Sequence, residues 1–155
     1  MYIKTKRLTL VACTENIIPI MHKQFYNNGP EIERHLNALA SDPTLLQWGS
    51  WLIIRESDHA IVGDLGFKGK PNSMKQVEIG YGLLQQYCHN GYATEAVAAL
   101  IEWALGMDKV DKIVAETEKE KWRSMRVLER VGMQKTNETP RMVYWGMGKT
   151  TTSVK

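Results

Sequence analysis

The chain has 155 residues, 43% of them hydrophobic and 24% charged, which suits one domain with its own core and argues against disorder. A net charge of +3 with no lysine or arginine block argues against a nucleic-acid partner. Two cysteines (Cys13 and Cys88) cannot build a disulfide framework, the 4 histidines lack zinc spacing, and no apolar run nears the ~20 residues that span a membrane. With "MYIKTKRL" lacking the apolar core of a signal peptide, the expectation is a cytoplasmic protein with no metal and no membrane partner.

In chain order, "TKRLTLVAC" (Thr5 to Cys13) alternates and is rich in strand formers, so it predicts a first strand. Thr14 is placed to cap a helix over "ENIIPIMHKQFYN", which Pro19 limits to a broken or late-starting one. Pro30 suits the first turn of a second helix, "EIERHLNALA". Three strands follow: "SWLIIRES", "AIVGDLGFKG" and "QVEIGYGLL". The links "DHA" and "KPNSMK" have lengths that suit antiparallel hairpins. Next comes a helix whose Val97, Leu100, Ile101, Ala104 and Leu105 form one apolar face. "DKIVAETE" predicts a strand. "WRSMRVLERVG" predicts a short helix with Ser124, Val127, Leu128 and Val131 on one side and Gly132 as its stop, and "MVYWGM" a last strand. The order predicts an α+β domain over residues 1–148, a mostly antiparallel mixed sheet with helices packed on it, and a polar frayed tail over 149–155. The strand–helix–strand unit in the middle would be a crossover that sets two strands in parallel.

"YCHNGYATEAVAAL" (Tyr87 to Leu100) carries a glycine turn straight into a helix N-terminus. The first N–H groups of a helix lack internal partners and the helix dipole favours negative charge there, so this layout suits an anion. Gly91 has the freedom to take a positive φ and to admit a ligand close to the backbone. A plain turn is the competing reading of Asn90-Gly91, and neither the dinucleotide fingerprint nor the phosphate loop is present. The strand before the turn tips the balance. Val77, Ile79, Tyr81 and Leu83 face one way, while Glu78, Gly80, Gly82 and Leu84 face the other, leaving a bare strip beside a carboxylate.

At these residues the sequence resembles the GNAT (acyl-CoA N-acyltransferase) superfamily, in the branch of the ribosomal-protein N-terminal acetyltransferases (RimJ/RimL-like). The family's R/Q-x-x-G-x-G/A motif aligns with Cys88-His89-Asn90-Gly91-Tyr92-Ala93, where Gly91 and Ala93 match. "KRLTL", "VGDLGF", "VEIGYGLL", "TEAVAALIEWA" and "SMRVLERVGM" also look like that branch, so the resemblance runs from about Thr5 to Met147. It implies a sheet with helices on both faces, and acetyl transfer from acetyl-CoA to a primary amine by direct attack. The acceptor would be a protein N-terminus or a small molecule. Dimerisation is common in the family, and the sequence leaves a homodimer open.

The resemblance further implies that Leu83 and Leu84 pair through their backbone with the pantetheine arm, with plain core packing as the competing reading. It assigns the pyrophosphate to the amides of His89, Asn90, Gly91, Tyr92, Ala93 and Thr94. Glu78 is the candidate general base, through water, with a surface carboxylate as the competing reading. Ser124 is a candidate contact on the CoA sulfur side, against a helix-cap or back-bonding serine. Three positions depart from the family pattern: Cys88 for the usual arginine or glutamine, Lys121 for an asparagine, and Leu128 for a tyrosine acid. Tyr144 on the last strand is the candidate replacement for that acid, with a core tyrosine as the favoured competing reading. Trp48, Trp51 and Trp145 either line an acceptor pocket or fill the core. The departures also admit a second reading, a catalytically weak acetyl-CoA-binding or regulatory module.

Overall fold

The computed structural model describes residues 1–149; the predicted tail, apart from Lys149, lies outside them. Eight strands form one sheet in the order β1-β2-β3-β4-β5-β6-β8-β7. They are β1 (Tyr2–Lys4), β2 (Leu8–Ala12), β3 (Ser50–Arg55), β4 (Ile61–Phe67), β5 (Gln76–Leu83), β6 (Lys112–Glu118), β7 (Gln134–Glu138) and β8 (Met142–Gly148). Only β5 and β6 pair in parallel, joined through α3 (Tyr92–Leu105), as the crossover requires. The other helices are α1 (Ile18–Lys23), α2 (Glu31–Ser41) and α4 (Trp122–Arg130).

Both faces of the sheet are covered, and the strands show it by alternation. Leu8, Leu10, Trp51, Ile53 and Val62 join α3 and Leu128 of α4 in one core. Leu52 and Ile61, one residue out of phase, join Ile17, Tyr26 and Ile32 in a second core under α1 and α2. Trp48, Trp51 and Trp145 are buried in the larger core, so they fill it rather than line a pocket. Among the described residues no helix is long and apolar enough to cross a membrane.

The sequence signals for the helices act as expected. The Thr14 hydroxyl accepts from the Asn16 amide (3.2 Å) over a single 3-10 turn, and α1 then starts late, with Pro19 in its first turn. Pro30 stands just before α2. Two strands are additions to the predicted set. β1 is three residues pairing with β2, and β7 is a fully exposed strand held to β8 by its backbone. The first predicted strand is also shorter than Thr5 to Cys13: Thr5 to Arg7 leave the ladder and reach towards α3 instead.

Candidate functional site

The parallel pair opens into a cleft. β5 and β6 pair only from Gln76↔Lys112 to Glu78↔Val114. Beyond that point β5 continues to Leu83 along β4, while β6 runs on with β8 to Glu118. The backbone of β5 from Ile79 onward is therefore unpaired on its β6 side. A cavity of about 550 Å³ lies here, lined by Tyr81, Gly82 and Leu83 from β5, by the turn before α3, and by α4. Of the predicted cofactor residues, Leu83, His89, Gly91, Tyr92, Ala93, Thr94 and Ser124 line it. Leu84 and Asn90 do not. Leu84 packs against the second core, and Asn90 braces the turn, its side-chain amide donating to the carbonyls of Tyr87 and Cys88 (both 3.2 Å).

The turn is built to leave amides free. Gly91 takes φ +79° as the residue before α3, and no side chain caps the helix. The preceding positive φ falls on His89 (φ +71°) rather than on Asn90. Arg7 and Glu95 hold the turn in place from outside. The Glu95 carboxylate accepts from the Thr5 hydroxyl (2.5 Å), the Arg7 amide (2.8 Å) and the Arg7 guanidinium (2.7 Å). The same guanidinium donates to the Asn90 carbonyl (2.9 Å) and lies over the Tyr92 ring. Burial pushes the Glu95 carboxyl up, but these donors outweigh it and hold it below the usual range. A depressed carboxyl stabilises the fold above its unfolded pKa, and that stabilisation is lost as pH falls through the folded value. Glu95→Gln will therefore lower stability at neutral pH by about 2 kcal/mol. The difference from the wild type will shrink in acid; thermal melts between neutral and acid pH check this.

Across the cleft stands a basic face. Arg123, Arg126 and Arg130 of α4 line the cavity with Lys121 just before it, and among the described residues none of them is ion-paired. The uncapped start of α3 and these four cations present positive potential from two sides. Cys88 lines the same cavity, and its thiol approaches the Leu84 carbonyl (3.7 Å). Sequence reasoning missed the three arginines and named Lys121 only as a departure from the family pattern. Their signal was the i, i+3, i+7 spacing of Arg123, Arg126 and Arg130, opposite buried Leu128. Ser124 faces the same cavity, and its backbone carbonyl accepts the Tyr81 hydroxyl (2.8 Å).

A second cavity, about 650 Å³, lies on the other side of Tyr81 and Gly82, the two residues it shares with the first. Residues of β4 and α2 line it, together with Asn28 and Lys68. Gly80 and Gly82 leave room there: a Cβ on Gly80 would meet only the end of Lys68, and on Gly82 only the amide of Asn28. Asp64 lines this cavity although it is only 8% exposed. Its Oδ2 accepts from the Tyr26 hydroxyl (2.5 Å) and from the Asn28 amide (3.2 Å), which also donates to the Gly82 carbonyl (2.9 Å). Burial pushes the Asp64 carboxyl up, opposed by those two hydrogen bonds, with Glu31 pushing it further up. Asp64 was not among the residues the sequence singled out.

The predicted catalytic side chains are not gathered in one place. Glu78 lines neither cavity; its carboxylate is 32% exposed and bound to the Lys68 ammonium at 2.8 Å, a cross-hairpin ion pair. Tyr144 sits on β8 opposite Glu116 and also lines neither cavity. Ser124 alone of the three faces the cleft.

Comparison with known proteins agrees with this architecture. A family model described as an acetyltransferase (GNAT) domain matches residues 8–134. The uncharacterised N-acetyltransferase YjdG of Bacillus subtilis (strain 168) is 32% identical over 96 residues, 62% of this chain and 57% of that protein. The chain spans between 47% and 59% of the length of the curated relatives it matches. Among solved structures, the ribosomal-protein-S5-alanine acetyltransferase of Vibrio fischeri has a TM-score of 0.80 at 13% identity, covering 96% of this chain and 97% of that one. RimL, a ribosomal L7/L12 alpha-N-protein acetyltransferase in complex with coenzyme A, has a TM-score of 0.78 at 15% identity, covering 96% of this chain and 98% of that one. Identities this low speak for the fold alone.

Proposed function

We propose, because the chain belongs to the GNAT acetyltransferase family, that it moves an acetyl group from acetyl-CoA to a primary amine by direct attack. One observation carries the donor half of this reading. An uncapped helix N-terminus faces, across a cleft between two splayed strands, four cations that have no ion-pair partner among the described residues. The amides of Gly91 to Thr94 suit the pyrophosphate, and Lys121, Arg123, Arg126 and Arg130 suit the remaining phosphate charge. The unpaired backbone of β5 from Ile79 to Leu83 suits an extended amide-bearing arm, which adds to it as a strand would. Tyr81 and Gly82, common to both cavities, then mark where the thioester and the amine meet.

The acceptor is a primary amine, of a protein N-terminus or a small molecule. The RimL structure, an alpha-N-protein acetyltransferase with coenzyme A bound, supports the first of these by its fold. The basic face on α4 supports acetyl-CoA binding, which an active enzyme and a weakened CoA-binding module share; thiol release separates the two.

Acetyl-CoA at 100 times its dissociation constant will stabilise the protein by about 2.7 kcal/mol and raise its melting temperature by roughly 5–10 °C, whereas ATP will not. A thermal shift with both ligands, followed by thiol release over a panel of amines, tests the reading. An equal shift with ATP, or none with acetyl-CoA, overturns it.

A further inference from the structure

We propose that Asp64, held by Tyr26 and Asn28, is the carboxylate that binds the acceptor as an ammonium and takes its proton. The proposal rests on the acetyl-transfer reading above. Three features of the second cavity carry it.

The first is the state of the carboxylate. Its Oδ2 is fixed by two donors that come from 38 and 36 residues earlier in the chain. Its Oδ1 receives no hydrogen bond among the described residues, yet no fully buried side-chain oxygen among them lacks a partner. The Oδ1 atom is therefore open to the cavity that Asp64 lines. One oxygen is locked and the other is presented, which is the arrangement a positioned base needs. The second feature is place. Asp64 pairs with Gly82 in the β4–β5 ladder, and Gly82 with Tyr81 is where the two cavities meet.

The third is the charge around it. Glu31 and Arg34 of α2, Lys68 beyond β4 and Tyr81 of β5 line the cavity, while Tyr26 and Cys13 lie beside the carboxylate. Burial pushes the Tyr26 phenol up and the Cys13 thiol to about 12, and burial holds the Tyr81 phenol at about 12, so all three stay neutral at ordinary pH. Lys68 is neutralised by Glu78. Two carboxylates then face one guanidinium that is unpaired among the described residues, and the cavity favours a cation. Glu78, outside the cavity and already bound to Lys68, has no such access.

The step balances as follows. Oδ1 takes one proton from the ammonium, R–NH3+, and Asp64 becomes a neutral acid. The freed nitrogen lone pair forms the C–N bond at the acetyl carbonyl carbon. The C–S bond breaks, its electron pair leaves with sulfur, and the second nitrogen proton ends on that sulfur as the CoA thiol. Asp64 later returns its proton to water. A carboxyl raised by burial serves this step at a pH nearer neutrality than an exposed one.

The experiment measures kcat/KM against pH by thiol release, with acetyl-CoA and the best amine of the panel, and acetyl-CoA affinity separately by calorimetry. Asp64→Asn will lower kcat/KM at least about 100-fold and remove the acid limb, while acetyl-CoA affinity stays within about twofold of the wild type. Tyr26→Phe deletes a hydrogen bond that favours the charged form, so its acid limb will move to higher pH. Wild-type activity and an unmoved limb in Asp64→Asn overturn the proposal, as does loss of the limb in Glu78→Gln instead. Should Asp64→Asn fail to fold, the limb of Tyr26→Phe decides, and an unmoved limb overturns it. Failure of the wild type to bind acetyl-CoA would count against the acetyl-transfer reading itself and is read before any variant.

Discussion

Glutamate in place of Gly91 will weaken acetyl-CoA binding by at least about 100-fold, or roughly 2.7 kcal/mol. Two effects add. Gly91 has φ +79°, where a side chain costs about 1–2 kcal/mol of backbone strain. A carboxylate would also stand beside the amides assigned to the pyrophosphate, within reach of Arg7, whose Nη2 lies only 3.3 Å from where a Cβ would stand. Capture of Arg7 would draw it from Glu95 and from the Asn90 carbonyl. Gly91→Ala separates the two effects: it keeps the strain without the charge, so it will lower the melting temperature and cost much less affinity. Calorimetry on the two folded variants checks this. Equal losses in both would mean that shape alone, and no anion, is recognised at the turn.

The double reversal Arg126→Glu with Arg130→Glu will cost about as much, near 100-fold at low salt. Each arginine lines the cleft without an ion-pair partner among the described residues, so each is free for a charge-assisted hydrogen bond of about 1.5–3 kcal/mol. Both are exposed on α4, away from buried Leu128, so the melting temperature without ligand will hardly change. The loss will also shrink as salt rises, because exposed charges are screened. Affinity measured from low to high ionic strength tests the claim. A loss independent of salt would point to damage in α4 rather than to lost attraction.

These two sites differ in how readable they are in the chain. The Gly91 turn is legible because its chemistry is local: a glycine, a helix start and a bare strand stand next to one another in the chain. The helices and central strands are legible for the same reason, through periodicity and caps. β1 and β7 are not, because a three-residue strand and an entirely exposed one carry no pattern and exist only through backbone pairing. Arg126 and Arg130 read as a solvated face until β5 and α3 are placed opposite them. Glu78 stands on the glycine strand where alternation puts it. Its partner Lys68, ten residues earlier, is fixed by hairpin register, which composition does not reveal. Asp64 is hidden most deeply. A lone acid inside "VGDLGF" looks like a surface position, and only the chain's return through Tyr26 and Asn28 turns it inward.

The narrow border between the two cavities has a consequence for traffic. Tyr81 and Gly82 stand between a basic cleft on the β6 side and a carboxylate-bearing one on the β4 side. On the acetyl-transfer reading, donor and acceptor approach through separate doors, neither has to leave before the other arrives, and the enzyme needs no covalent storage of the acetyl group. Each spent product also departs by the way its precursor came, so a bulky acceptor does not trap the used carrier behind it.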